Sequence, residues 1–110
     1  MDNELMSSFS LELRRGTIIL CVLSQVKEAK YGYALVHSLE EKGMPIDPNT
    51  LYPLLRRLEK QGILISEWDL TEAKPRKYYK RTELGDDIFK ELTAQWRTMN
   101  RTIETLLSEE

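Results

Sequence analysis

One cysteine and one histidine in 110 residues are too few for several kinds of chemistry. A single thiol, Cys21, excludes both an intramolecular disulfide and a site built from several thiolates. It lies inside the apolar run Thr17 to Leu23, which makes it a buried structural thiol in this reading. With His37 as the sole imidazole, no cluster of metal-ligand residues forms, so neither a metal nor another cofactor is expected. A glycine-rich phosphate loop is also missing. Ser, Cys and His recur at no spacing that would pair a nucleophile with its base. His37 falls on the exposed side of a helix, and the chain reads as something other than an enzyme.

Long apolar stretches are lacking too. Thr17 to Leu23 is the longest nearly apolar run, far short of the roughly 20 residues that cross a bilayer, and the acidic start at Asp2 and Glu4 is unlike a signal peptide. A cytoplasmic protein without membrane contact is the expectation. A basic balance is absent as well, since the net charge is −2, and total charge gives no support for a nucleic-acid partner. Its distribution does. From Asp47 to Arg81, eight basic residues (Arg56, Arg57, Lys60, Lys74, Arg76, Lys77, Lys80, Arg81) stand against five acidic ones (Asp47, Glu59, Glu67, Asp69, Glu72), a local +3 that leaves −5 for the remainder.

What is present, 41% hydrophobic and 31% charged residues, suits one globular domain. A chain this short buries a modest fraction of its surface, so an oligomer interface is a natural further source of apolar burial.

Apolar residues recur at helical spacing from about Ser10 to Glu28 (Leu11, Ile18, Ile19, Val22, Leu23, Val26), predicting one core helix. A loop at Ala29 and Lys30 leads to a second helix, Tyr31 to Lys42, which Gly43 ends. Asp47 followed by Pro48 is a strong helix start, and the third helix runs to about Gln61 with a stripe of Leu51, Leu54, Leu55 and Leu58. Asn49, Tyr52, Pro53, Arg56 and Lys60 take its other side. Pro53 removes one backbone hydrogen bond, so either the helix kinks there or it begins nearer Thr50. After Gly62, the runs Ile63 to Leu70 and Arg76 to Thr82 read as a β-hairpin with Lys74 and Pro75 at a basic tip. Thr82 then caps a last helix, with Asp86 and Asp87 near its start. That helix places Phe89, Leu92, Trp96, Met99, Ile103 and Leu106 at alternating spacings of three and four, a coiled-coil-like seam. About 25 residues span roughly 37 Å, longer than a small core can cover. A dimer through this seam is the expectation, with packing on its own domain as the alternative.

Three helices, a hairpin and a long helix give a mostly α fold of winged helix-turn-helix type. Residues 1–82 form the DNA-binding part, its N-terminal helix also contributing to the dimer, and 83–110 form the dimerisation helix. The third helix can then enter the major groove while the hairpin touches the flanking backbone. The same shape could instead serve as a protein-interaction module without sequence-specific DNA binding.

The segments TLYPLLRRLEKQGIL (Thr50 to Leu64), YGYAL (Tyr31 to Leu35) and PRKYYKRTELG (Pro75 to Gly85) closely resemble the PadR-like transcriptional regulators. The short length and single C-terminal helix resemble the smaller branch of that family, which includes regulators of multidrug transport. Resemblance implies a homodimer on a pseudo-palindromic double-stranded operator, repressing its own or a neighbouring operon. Asn49, Thr50, Tyr52 and Arg56 would contact bases or phosphates from the recognition helix, with a packing aromatic as the alternative for Tyr52. Lys74, Arg76 and Lys77 would meet phosphates or the minor groove from the wing. Tyr31 and Tyr33 could reach phosphate through their hydroxyls, or Tyr31 could belong to the core. In the small branch, a tryptophan at the place of Trp96 lines a dimer-interface pocket for flat aromatic, drug-like effectors. By that analogy Trp96 would contact ligand or only pack the interface, with Met99, Phe9 and Met6 lining the pocket if the first helix lies beside the last. The chain departs from its relatives at Glu72-Ala73-Lys74, where they are glycine-rich, and at Arg81, where they carry an apolar residue. Both departures bear on how the wing packs.

Overall fold

A computed structural model describes residues 2–110. Among the described residues it comprises α1 (Asn3–Arg15), α2 (Ile18–Ser24), β1 (Lys30–Tyr31), α3 (Gly32–Glu41), α4 (Pro48–Lys60), β2 (Leu64–Asp69), β3 (Arg76–Arg81) and α5 (Glu83–Leu107). The strands form one antiparallel sheet in the order β1-β3-β2. This is a winged helix with a long terminal helix, as the element pattern predicts.

The helix expected from Ser10 to Glu28 is in fact two helices. Gly16 is a poor helix former, and the β-branched residues Thr17, Ile18 and Ile19 follow it. The Thr17 hydroxyl donates to the Arg14 carbonyl at 2.8 Å, and its backbone N–H bonds to the same carbonyl at 3.0 Å. These contacts close α1 and re-aim the chain. The helical segment ends at Ser24 rather than Glu28, and Val26, though wholly buried, lies beyond it. Tyr31 also moves from the predicted second helix into β1, where it faces Tyr78, while Lys30 faces Tyr79. A two-residue strand is too short for periodicity to reveal.

The core is a leucine and valine cluster (Val22, Leu23, Val26, Leu35, Leu39, Leu51, Leu55, Leu58 and Leu64), closed by Ile46 and Tyr79. α3 stops at Glu41, and Gly43 takes φ +87°, a conformation other residues rarely adopt, so that the Met44 N–H can reach the Leu39 carbonyl at 2.8 Å. α4 starts at Pro48 rather than near Thr50 and runs through Pro53 to Lys60 as one helix. Asp47 accepts from the Asn49 N–H at 2.8 Å, and the Thr50 and Leu51 N–H groups bond the Asp47 carbonyl at 2.9 Å. With Leu51, Leu55 and Leu58 anchored in the core, the one bond lost to Pro53 on the solvent side does not interrupt the helix.

α5 opens on Thr82, whose hydroxyl accepts from the Gly85 N–H at 3.0 Å and donates to the Gly62 carbonyl at 2.6 Å. Its first turns place Ile88, Phe89 and Leu92 against the core, and beyond Thr93 every residue is exposed. No residue of α1 is buried. The molecule measures 56 × 34 × 22 Å with a radius of gyration of 16.2 Å, against about 13 Å for a compact chain of this length. Among the described residues, no helix is long and apolar enough to cross a membrane.

Candidate nucleic-acid interface

The polar side of α4 is open to solvent. Asn49, Thr50, Pro53, Arg56, Arg57 and Lys60 are exposed, while the leucines on the opposite side are buried. Tyr52 is intermediate in both position and burial. Its ring lies against Gly32 at the start of α3 so closely that a Cβ there would stand 2.4 Å from a ring carbon. Glycine at position 32 is therefore a condition for docking α4 on α3. Tyr52 is a packing residue whose edge remains half-exposed.

Gly32 is flanked by Tyr31 and Tyr33, which link the recognition helix to the wing. The two rings stack at 6.5 Å, Tyr31 meets Tyr78 edge-on at 5.6 Å, and Tyr33 meets His37 at 4.4 Å. The Arg76 guanidinium lies 4.6 Å from the centre of the Tyr31 ring and 3.3 Å from a carboxylate oxygen of Glu72, which raises its already high pKa. Tyr31, Tyr33, Tyr52 and Arg76 thus form one continuous surface. Tyr31 is half-buried at its edge rather than part of the core. The motifs did not assign Tyr78 or His37 to this surface. Strand alternation places Tyr78 with Arg76, and a four-residue step places His37 with Tyr33.

Lys77 lies on the opposite face of the sheet from Arg76. Its ammonium group is 3.0 Å from Glu59 Oε1, and it lies near the rings of Tyr79 and Trp68. Glu59 also accepts a hydrogen bond from the Ser66 hydroxyl. That bond first, and then Lys77, holds the Glu59 carboxyl below its ordinary pKa, while the same pair pushes Lys77 up. One carboxylate in the last turn of α4 therefore ties the recognition helix to both wing strands. Sequence reading grouped Lys77 with the phosphate contacts and gave Glu59 no role. The signal was available, because Ser66, Lys77 and Tyr79 share a face by alternation.

Arg81 differs again from its expected place among the local cations. Its side chain is 8% exposed and bonds Asp86 at 2.9 Å and the Leu23 carbonyl at 2.8 Å, with its guanidinium 4.3 Å from the Phe89 ring centre. It closes the junction of α2, β3 and α5. Among the described residues, the basic groups of the segment that keep no ion pair are Arg56, Arg57, Lys60, Lys74 and Lys80. Lys74 is exposed at the wing turn, where Asp69 accepts from the Thr71 N–H and hydroxyl.

The remaining predicted residues lie apart. Leu92, Trp96, Met99 and Ile103 of α5 meet Leu13 and Leu20 across a groove of about 430 Å³. Trp96 and Met99 line it, whereas Met6 and Phe9 do not and stand exposed on α1. Phe89 sits on the core side of α5 and Leu106 is 60% exposed near its end. Cys21 is half-buried at the α2 edge of the core, and burial raises its thiol pKa.

Comparison with known proteins agrees with this geometry. The profile of the transcriptional regulator PadR-like family matches residues 19–91. A transcriptional regulator of Mycobacterium tuberculosis is 33% identical over 75 residues, covering 67% of this chain and 70% of that protein. The crystal structure of a PadR family transcriptional regulator from Eggerthella lenta superimposes with a TM-score of 0.89 at 53% identity, over 96% of this chain and 94% of that one. A PadR-like transcriptional regulator from Bacillus cereus gives a TM-score of 0.78 at 27% identity, over 87% and 96%.

Proposed function

The chain belongs to the PadR-like family of transcriptional regulators, and on that premise we propose that it works as a cytoplasmic homodimer that represses its own or a neighbouring operon by gripping a pseudo-palindromic operator. Its family consists of DNA-binding regulators rather than enzymes. The observation that carries the reading is the open polar side of α4, next to a wing that Tyr31, Gly32 and Glu59 hold in a fixed relation to it. Asn49, Thr50, Arg56 and the free edge of Tyr52 read or clamp the operator. Arg76, Lys74, Tyr33 and Tyr31 engage the flanking backbone. Lys77 contributes through the wing's position, and its phosphate contact requires exchange of its Glu59 partner.

The dimer reading is supported by surface that one copy leaves open. Trp96, Met99, Ile103 and Leu106 are 41%, 57%, 48% and 60% exposed. The accessible surface is 8352 Å², about 2,000 Å² above that of a compact monomer of 12.9 kDa, which is of the order a stable interface buries. Residues 83–110 dimerise through this seam, together with α1, while residues 1–82 bind DNA. A planar aromatic effector would enter the groove at Trp96 and Met99, and a second copy would bring its own α1, with Phe9, towards it. Mobility shift with the DNA upstream of its own gene tests the proposal. A saturable shift, selective over unrelated duplex at physiological salt, is expected. Its absence would leave a winged helix that binds protein instead.

A further inference from the structure

The recognition helix has two flanks, and the wing accounts for only one. At about 100° per residue, Tyr52 and Glu59 fall on one side of the exposed arc, where they meet α3 and the wing. Thr50, Pro53 and Arg57 fall on the other, where with Arg15 and Ile18 they line a depression of about 450 Å³ that contains no acidic residue. A smaller depression of about 230 Å³ adjoins it, lined by Arg14, Arg15 and Thr50 together with Asp47, whose carboxylate accepts from the Asn49 N–H. Arg15 and Arg57 are exposed, Arg14 is half-buried, and none of the three has an ion pair among the described residues.

Arginines in the last turn of a helix favour its dipole, and Arg14, Arg15 and Arg57 all sit in such turns. That explains each of them within its own helix. It does not explain why two helices aim cations at one depression with no carboxylate between them, in a chain whose net charge is −2. A major groove about 12 Å wide is walled by a phosphate strand on each side. With α4 in that groove, a wing on one wall would leave the other wall to the flank that carries Arg15 and Arg57.

From this we infer that Arg15 and Arg57, backed by Arg14, form a second phosphate-binding edge that holds the DNA strand across the major groove from the wing. The inference rests on the DNA-binding reading and extends the interface to the end of α1, a segment the motifs left out. Guanidinium groups suit phosphate through their forked donors. These contacts supply affinity, not sequence choice.

The test measures binding at a series of salt concentrations, with the DNA upstream of the gene and with a duplex of random sequence. Arg15→Ala and Arg57→Ala should each lower the slope of log affinity against log salt by about 0.9 per arginine removed. At about 150 mM salt that relation gives a loss of roughly fivefold per arginine, equal for both duplexes. The Arg→Lys variants should keep the slope, and hydroxyl-radical footprints of the alanine variants should lose protection on the strand opposite the wing. Sedimentation of each variant controls for assembly. An alanine pair that assembles normally and keeps the wild-type slope overturns the edge and leaves the DNA-binding reading standing. Wild-type protein that binds neither duplex overturns both.

Discussion

In the winged-helix body, from Val22 to Leu64, the leucines and valines are buried or half-buried and close a core, whereas along α1 and the outer half of α5 no apolar residue is buried. Both regions carry helical apolar patterns of the same kind, and α5 runs through both. Its seam changes partner midway: Phe89 and Leu92 rest on the core, and from Trp96 onwards the stripe faces outwards. Periodicity therefore reports that a face is to be buried, not what buries it. The body is closed by its own chain. The outer helices are left open by it, and in the proposed dimer a second copy closes them, a division that can be attacked in order of expected effect.

Ile103→Asp strikes the open region alone. The side chain is 48% exposed in one copy, so a charge there costs the isolated fold little, typically within about 0.5 kcal/mol. Buried unpaired in a dimer seam, the same carboxylate is prohibitive. The expected outcome is a folded monomer by circular dichroism and sedimentation at micromolar concentration, with operator binding abolished. A variant that still sediments as a dimer would remove the seam from the interface.

Tyr52→Ala combined with Arg56→Ala strikes the body's functional surface. Loss of two contacts worth about 1–3 kcal/mol each weakens operator binding by about thirtyfold or more, while the dimer persists. Because Tyr52 also packs on Gly32, thermal melting should fall modestly, and Tyr52→Phe should recover the melting. A folded double variant with wild-type affinity would relocate the recognition surface.

A smaller effect is expected at the join between helix and wing. The Glu59 carboxyl is held below its ordinary pKa, chiefly by the Ser66 hydroxyl and then by Lys77. A depressed carboxylate stabilises the fold at pH above its unfolded value, and that contribution is lost as pH falls through the folded value. Lys77, pushed up by the same pair, contributes below its unfolded value and loses its share as pH rises through the folded one. The join is therefore intact across neutral pH. Protection of the β2 and β3 amides, taken relative to their intrinsic exchange rates at each pH, should fall only in acid, below the usual carboxylate range. Glu59→Gln should make wing exchange insensitive to that change, at a stability cost of about 1 kcal/mol or less for so exposed a pair. It should also weaken DNA binding a few-fold although it removes a negative charge from the protein. Tighter binding by the variant would mean that the carboxylate acts only by repulsion.

These outcomes bear on how much of the molecule could be read in its sequence. Elements with strong local signals emerged in place: the Asp47-Pro48 start of α4, the Gly43 stop and the Thr82 cap, because each depends on neighbours within a few residues. Signals that depend on distant partners did not. The break at Gly16 is hidden by apolar spacing that continues across it, and β1 exists only because β3 pairs with it. Charge was the least legible. Lys77, Arg76 and Arg81 look alike in a basic count, yet one is fastened to Glu59, one is stacked on Tyr31 and one is inside the fold. Arg15 lies far from that count in sequence and beside it in space.

The smallest expected effect is optical, and it sharpens the comparison because each region holds one tryptophan. Trp68 is 59% exposed on the wing of the body, and Trp96 lines the groove between α5 and the end of α1. A planar aromatic dye that enters the groove should quench Trp96 and spare Trp68, so Trp96→Phe should remove most of the quenching. If the groove is completed by a second copy, quenching should also vanish in Ile103→Asp, whose Trp96 is intact but whose groove is open to water. Dye binding need shift the operator equilibrium only modestly, since coupling between sites is typically about 1–3 kcal/mol. Quenching that survives both substitutions would place the dye at Trp68. The apolar groove would then serve assembly alone, and regulation would have to reach the DNA-binding surface through the body.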